Sequence, residues 1–520
     1  MFILLVTSML TLAFNIQPVK ASGTIYIRAD GSIDPPTAPI STVDNITYTF
    51  AGDINNAIVI ERDNIVVDGA GYTLQGTDDY ESRGTDVTGR SNITIKNTSI
   101  KNYWYGIFLD YSSSNSIFGN NITTNRNDGI RLNSSSSYNS ISGNNITNNG
   151  AGILFRSSSS YNSISGNNIT NNDDGVYLYH SSSNSIFGNN ITANNRYGIY
   201  LFSSSGNNIS GNTFVNNGLF VSGSYQNSVQ NNTVNGRPLF YLEGVSNCTV
   251  DDAGQVILVR CDNIRVEGLN LSRTDFGVEL WETSNSTVSG NDITNNLYGI
   301  WLDSSSSFNS ISANNVTDNG DGISLVYSYS NSISGNNIAA NGNDGILLYS
   351  SSSNSIFGNN ITANMQGGIE FYFSSDYNSI FHNNFINNAQ QVFSLDSVSV
   401  WDNGYPSGGN YWSDYAGTDG FRGPFQNETG SDGIGDTQYS IDSHNTDRYP
   451  LMNLWVGTRL LGDINGDRIV DIYDAILLAN AYNSVPGKAN WNPNADINGD
   501  NIVDIYDAIL LANHYGQHYP

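Results

Sequence analysis

The run NSISGNNITNNGAGILFRSSSSY at Asn139–Tyr161 is followed at once by NSISGNNITNNDDGVYLYHSSS at Asn162–Ser183 and NSIFGNNITANNRYGIYLFSSS at Asn184–Ser205. The unit recurs every 22 to 24 residues. Its first apolar marker can be followed from Ile95 through Ile117, Ile141, Ile164 and Ile186 to Ile380. Within one unit the apolar residues hold fixed places, Ile141, Ile146, then Ile153 and Phe155, separated by Gly and Asn. This spacing makes three short strands, each turning one or two side chains inward. A single unit cannot bury those side chains. Units stacked ~4.8 Å apart pair their backbones into parallel sheets and fill a continuous core. Asn tolerates the left-handed backbone of tight corners, and stacked Asn side chains can bond along the stack. The expected fold is mainly β, a parallel β-helix of about 15 coils.

Composition narrows the partners. The 520 residues contain only 20 Lys and Arg against 47 Asp and Glu, a formal charge of -27, and 13% charged residues overall. So acidic a chain does not bind nucleic acid or anionic lipid through bulk electrostatics. Cations, glycans and basic protein surfaces remain. MFILLVTSMLTLAFNIQPVKASG has an apolar segment of signal-peptide length, with Val19 and Ala21 placed for cleavage after Ala21, so residues 1–21 read as a leader and the protein as exported. No Lys or Arg precedes Lys20. No later apolar run is long enough for a membrane span. Cys248 and Cys261 allow at most one disulfide and no zinc pattern.

The repeat does not continue to the end. GDINGDRIVDIYDAILLAN, starting at Gly462, returns as ADINGDNIVDIYDAILLAN at Ala495. In the first copy Asp463, Asn465, Asp467, the Ile469 carbonyl, Asp471 and Asp474 fall at loop positions 1, 3, 5, 7, 9 and 12. In the second copy these places go to Asp496, Asn498, Asp500, the Ile502 carbonyl, Asp504 and Asp507. Hard oxygen donors at this spacing wrap a Ca²⁺ ion, so two ions are expected, each followed by an apolar helix that packs on its twin. An EF-hand is excluded by Arg468 and Asn501 at position 6, Asp at position 12, and a helix on one side only. Asp414, Asp419, Asp432 and Asp436 lie in Gly-rich turns and suggest one more structural calcium near Asp432.

Two resemblances follow. IYIRADGSIDPP from Ile25, IVIERDNIVVDGAGYTLQG from Ile58, the NSI-GNNIT-GI-L coils and the closing GNYWSDYAGTDG, DGIGDTQYSID and DRYPLM resemble the NosD-type right-handed parallel β-helix proteins of archaeal surfaces. This implies a β-helix over 24–400 with a C-terminal cap at 401–455. Copper is not carried over, because four Met, five His and two Cys are scattered and soft-metal sites need clustered S or N ligands. The duplicated loop–helix resembles a type I dockerin over about 460–517, which implies attachment to a cohesin-bearing partner through two nearly equivalent faces.

In the GIxLx strand the Ile and Leu point inward and each x outward. Tyr177, Tyr179, Tyr200 and Phe202, then Trp281 and Trp301, read as a platform for sugar rings. A flat sheet covered by aromatics is the plainer alternative. Glu279, Glu282, Asp303, Asp321 and Asp344 form the best acidic cluster for acid–base chemistry, with no Arg expected to face it. Paired-Asp, Gly-His-Gly and Arg-Ile-Lys signatures of polygalacturonases are absent. The sequence thus reads as an extracellular or surface β-helix that binds polysaccharide and is tethered by a calcium-loaded dockerin. A polysaccharide hydrolase or pectate-lyase-like enzyme and a structural spacer or adhesin remain open.

Overall fold

The computed structural model describes residues 23–456, 462–465, 469–498 and 500–517. The predicted leader and Asp467 lie outside the described residues. The unit at Asn139–Tyr161 folds as three strands, Ser140–Ser142, Asn145–Thr147 and Ala151–Arg156. Each pairs in parallel with its counterpart one coil on, Ile141 opposite Ile164, Ile146 opposite Ile169, Ile153 opposite Val176. All six of these side chains are fully buried, and each contributes about 1.5–3 kcal/mol by leaving water. The chain makes about 16 turns of a right-handed parallel β-solenoid. Gly152 shows why the second residue of the third strand is glycine: a Cβ there would sit 2.6 Å from the Gly175 carbonyl of the next coil. Backbones cross that corner too closely for any side chain.

Buried asparagines hold the other corners. Asn144 donates its backbone N–H and its Nδ2 to the Oδ1 of Asn167, both at 3.0 Å, and Nδ2 reaches back to the Ile117 carbonyl at 2.9 Å. Asn167 repeats the pattern with Asn189 and Ile141. Two parallel columns run through Asn115, Asn139, Asn162 and through Asn125, Asn149, Asn172. Stacked Asn side chains therefore do bond along the stack, as the repeat predicts.

The stack turns once. Thr233–Val234 pairs antiparallel with the start of Arg237–Glu243, and that strand then pairs in parallel with Gln255–Val259. As a result the GIxLx strands of the second stack continue the sheet built from NIT strands in the first, a single 16-stranded sheet. The GIxLx sheet of the first stack ends at Leu219–Ser222. Its open edge is closed by side chains of the second stack: Gln255 exchanges two hydrogen bonds with the Leu219 backbone, at 3.0 and 2.7 Å, and Glu279 accepts from Val221 N–H at 3.4 Å.

Tyr411–Trp412 adds a last strand beside Asn384–Ile386, and Trp401 and Trp412 lid the core. Buried Asp447 takes the Asn410 N–H at 2.7 Å and the Trp412 indole at 2.9 Å. Both cysteines are free thiols.

Replacing Asn167 with Ala strands two donors of Asn144 inside the protein. We expect Asn167→Ala to destabilise the β-helix by about 3 kcal/mol and Asn145→Ala, at an exposed strand position, by less than about 0.5 kcal/mol. Thermal and urea unfolding of the two variants checks this.

Candidate functional site

Because the sheets exchange at the turn, the outward columns of the two stacks lie on different faces, and two predicted site residues move indoors. Glu279 is fully buried beneath the Leu219–Ser222 edge; burial raises its carboxyl well above the ordinary range, and its Oε1 has no partner. Trp281 is 7% exposed and packs into the core of the first stack. Its indole donates to the Tyr225 hydroxyl at 3.1 Å, which donates to Glu282 at 2.7 Å. The acidic cluster also has a cation after all, Arg260, whose Nε lies 2.6 Å from Glu282 Oε2. Although partial burial pushes it up, Glu282 is held below the usual carboxylate range by Tyr225 and Arg260.

Trp301, Asp303, Asp321 and Asp344 stay together on the outer face of the second stack, in strands paired register by register: Trp301 opposite Ser324, Ser324 opposite Leu347, Leu347 opposite Glu370. The carboxyls are less than a tenth exposed. Burial raises Asp303 to about 6 and also raises Asp321, which the Asn343 amide meets at 2.9 Å. Asp344 rises to about 7 through burial and the neighbouring Glu370. Glu370 continues the outward column that runs through Trp301, Ser324 and Leu347, and it is the carboxyl left out of the acidic cluster expected from the sequence. Its signal was the glycine that follows Asp321 and Asp344 in the same column. A Cβ at Gly367 would come within 2.6 Å of Glu370 Cγ and 3.2 Å of Asp344 Oδ1, so the glycine is what lets the two carboxyls converge. Gly367 N–H donates to Asp344 at 3.0 Å, and the Tyr372 hydroxyl to Glu370 at 2.8 Å. In the same register Ser324 Oγ is buried and unpartnered, and the Trp301 indole N–H is buried beside the Asp303 carboxyl, whose rise it opposes. An unpartnered buried hydroxyl is costly unless something satisfies it.

In the first stack the aromatic columns stack on themselves. Tyr177 lies on Tyr200 at 4.7 Å and 8°, Tyr179 on Phe202 at 5.2 Å and 4°. The ladder continues through Phe220 to Phe276, 4.3 Å apart across the turn. Within it the rings cover one another's faces and present edges and hydroxyls outward.

The tail repeats itself in structure. Helices Ile472–Ala481 and Ile505–His514 each start with a capping box made by Asp471 with Asp474, or Asp504 with Asp507. Asp474 is fully buried and accepts from Ile464, Asn465 and Asp471 N–H at 2.7, 3.0 and 2.9 Å; Asp507 accepts from Ile497, Asn498 and Asp504 at 2.7, 3.0 and 2.8 Å. Asp496 closes the second loop by accepting from Asp500 and Asn501 N–H. The loop ends are thus drawn together around oxygen donors only, which fits calcium. In the cap, Asp419 accepts the Asp432 and Gly433 N–H groups, Asp436 accepts those of Gly420 and Phe421, and Asp414 accepts the Tyr439 hydroxyl. Asp432 likewise takes Gly423 and Ile434 N–H. Among the described residues no three His, Cys, Asp or Glu side chains converge as a metal group. Near Asp432 the carboxylates are taken up by backbone N–H groups, and in the tail the described carboxylates likewise do not converge as a metal group.

A family model described as periplasmic copper-binding protein (NosD) matches residues 54–236 and 220–417, and one described as dockerin type I domain matches 461–514. No curated protein matches the chain. Solved structures similar to it include the mannuronan C-5 epimerase AlgE6 A-module of Azotobacter vinelandii, at 15% identity over 72% of this chain and 88% of that one, TM-score 0.24. The catalytic domain of a GH87 alpha-1,3-glucanase shares 13% identity over 68% and 56%, TM-score 0.28, and the Dettilon tailspike protein 15% over 72% and 68%, TM-score 0.22. At these scores the likenesses carry no functional argument.

Buried carboxyls make the β-helix sensitive to pH. Asp128, Asp275, Asp344 and Asp447 are pushed to about 7 and Asp303 to about 6, all chiefly by burial. Between their unfolded value near 4 and these folded values, the folded chain holds protons that the unfolded chain has lost, so stability falls as pH rises. His382, lowered by burial, opposes this as a single group. The thermal midpoint of the β-helix should be higher at pH 5 than at pH 8, with the loss between about pH 5 and 7, and Asp344→Asn should flatten the profile.

Proposed function

The chain belongs to the NosD family through its β-helix, and on that premise we propose that it is an extracellular or surface protein, tethered by its dockerin to a cohesin partner, whose second stack binds polysaccharide. The observation that carries the polysaccharide reading is the row from Trp301 to Glu370: an indole, the unpartnered Ser324 hydroxyl, and the carboxyls of Asp303, Asp321 and Asp344, raised by burial, presented along one face. Indole and tyrosine rings suit the apolar faces of sugars, and the polar groups suit their hydroxyls. Trp301, Tyr349 and Tyr372 replace Trp281 in this role. The stacked rings of the first stack, Tyr177, Tyr179, Tyr200 and Phe202, offer edge contacts and hydroxyls to the same polymer.

Tethering is supported by the tail surface. Ile472, Tyr473 and Ile476 are 54%, 64% and 50% exposed, and their counterparts Ile505, Tyr506 and Ile509 are 53%, 63% and 49% exposed. Two matching apolar faces give a cohesin two ways to dock. Each loop would hold one Ca²⁺ through its Asp, Asn and carbonyl oxygens, and the ion would neutralise carboxylates that otherwise repel. An exported location agrees with the leader at 1–21. No described helix is long and apolar enough to cross a membrane.

A second reading, a polysaccharide hydrolase, is favoured by the Asp344–Glu370 pair. Burial and the neighbouring Glu370 raise the Asp344 carboxyl to about 7, which suits it to donate a proton, and Glu370, which accepts from Tyr372, stands beside it as the second carboxyl such chemistry needs.

Binding and product release on a panel of soluble polysaccharides test both readings. Trp301→Ala should weaken binding by about 1 kcal/mol. Reducing ends that appear with the wild type and not with Asp344→Asn would establish the hydrolase, while no binding to any glycan would sink the polysaccharide reading. For the tail, Asp463→Ala combined with Asp496→Ala should abolish cohesin capture, and either alone should leave substantial binding. A dead single variant would remove the two-face account.

A further inference from the structure

A straight solenoid has convex corners, but the turn of this one makes a hollow. Asn195, Arg196 and Asn216 of the first stack face Arg273, Asn295 and Leu297 of the second across a cleft of about 370 Å³. A second hollow of about 580 Å³ shares Asn216, Arg273 and Asn295. Arg196 is committed to Asp174 at 2.7 Å. Arg273 makes no ion pair among the described residues, in a chain with 20 Lys and Arg against 47 Asp and Glu.

Its backbone adds a second observation. Arg273 sits at φ 56°, in a corner place that has φ 58° at Asn295, 57° at Asp318 and 54° at Ala340 on the following coils. The place is set by the backbone and accepts different side chains, and the arginine there puts a guanidinium at the cleft. The nearest carboxyl lining the cleft, Asp275, is 2% exposed and turned into the protein, where it accepts the Gly198 N–H at 2.8 Å. It therefore leaves the guanidinium uncompensated at the mouth.

We infer that the cleft at the turn binds an acidic glycan, with the Arg273 guanidinium on a uronate carboxylate and the Asn216 and Asn295 amides on neighbouring hydroxyls. Guanidinium matches a carboxylate in a two-pronged geometry that ammonium cannot reproduce, and amides donate and accept as sugar hydroxyls require. The ligand class rests on the polysaccharide reading, and the site is separate from the Trp301–Glu370 row.

Affinity is measured on the full chain with galacturonate, glucuronate and mannuronate oligosaccharides and with their carboxyl-reduced counterparts. Arg273→Asn keeps a residue suited to the left-handed corner, so it should fold like the wild type. It should cost at least roughly tenfold in affinity for the preferred uronate and abolish the salt sensitivity of binding, leaving the reduced sugar unaffected. Trp301→Ala should leave uronate binding at the cleft intact. The inference is overturned if no uronate binds, if the reduced sugars bind as well as the acidic ones, or if Arg273→Asn binds uronate with unchanged affinity. Loss of uronate binding in Trp301→Ala with Arg273→Asn silent would place the acidic ligand on the outer face instead. Failure of neutral glycans alone would overturn only the reading of that face.

Discussion

The bond from one asparagine to the asparagine of the next coil is what the rest of this structure depends on. Its carboxamide oxygen takes two N–H groups from the coil before it, and its nitrogen donates to a backbone carbonyl and to the next oxygen. A corner built this way cannot slip. Moving the register by one residue would leave a column of buried donors without acceptors, each costing about 1–3 kcal/mol. Strands of only three residues can therefore hold their pairing, which isolated strands of that length could not. Isoleucines two residues from these corners then have no choice but to stack on isoleucines, and a repeated core follows from a polar constraint.

That constraint explains which features could be read from the sequence. Three strands per unit, the inward columns and the corner asparagines all follow from a pattern repeated many times, and the structure keeps them. The turn does not repeat. It arises where Arg237–Glu243 changes partner; the 16 residues from Val250 to Val266 break the period of 22 to 24, but a broken period does not say that a strand has joined a different sheet. Extending the outward column straight across the turn placed Glu279 and Trp281 on an open face, although both close the end of the first stack. The same step hid Arg260 from Glu282. Contacts between coils of unlike register are tertiary facts, and periodicity carries no information about them.

Within the second stack the reading of the site was better because the columns run unbroken. Asp303, Asp321 and Asp344 do lie on one face beside Trp301. What periodicity could not supply was the consequence of a single gap in a column. With Gly367 in the place of a third acid, Glu370 can turn toward Asp344, and two carboxyls come to share one environment. Burial rather than mutual repulsion is the larger cause of the raised Asp344 pKa. A flat acidic face would stay ionised at neutral pH. A recessed one retains a proton, and retained protons distinguish a surface able to donate to a glycan oxygen from one that merely repels anions.

The tail applies a related economy to a different fold. Asp474 and Asp507 serve their helices as capping residues and also collect N–H groups from the beginnings of their loops, so that loop and helix start are one hydrogen-bonded unit. A cation bound by the remaining carboxylates would act on that unit as a whole, ordering the helix together with the loop. The exposed isoleucines and tyrosines at the first turn of each helix lie within the same unit. Their presentation to a partner is then tied to the state of the loop, and the near identity of the two copies makes the tie the same on both faces. In this chain the β-helix and the tail are therefore two separate repeats. One is held by amide columns, and the other by carboxylates at its helix starts.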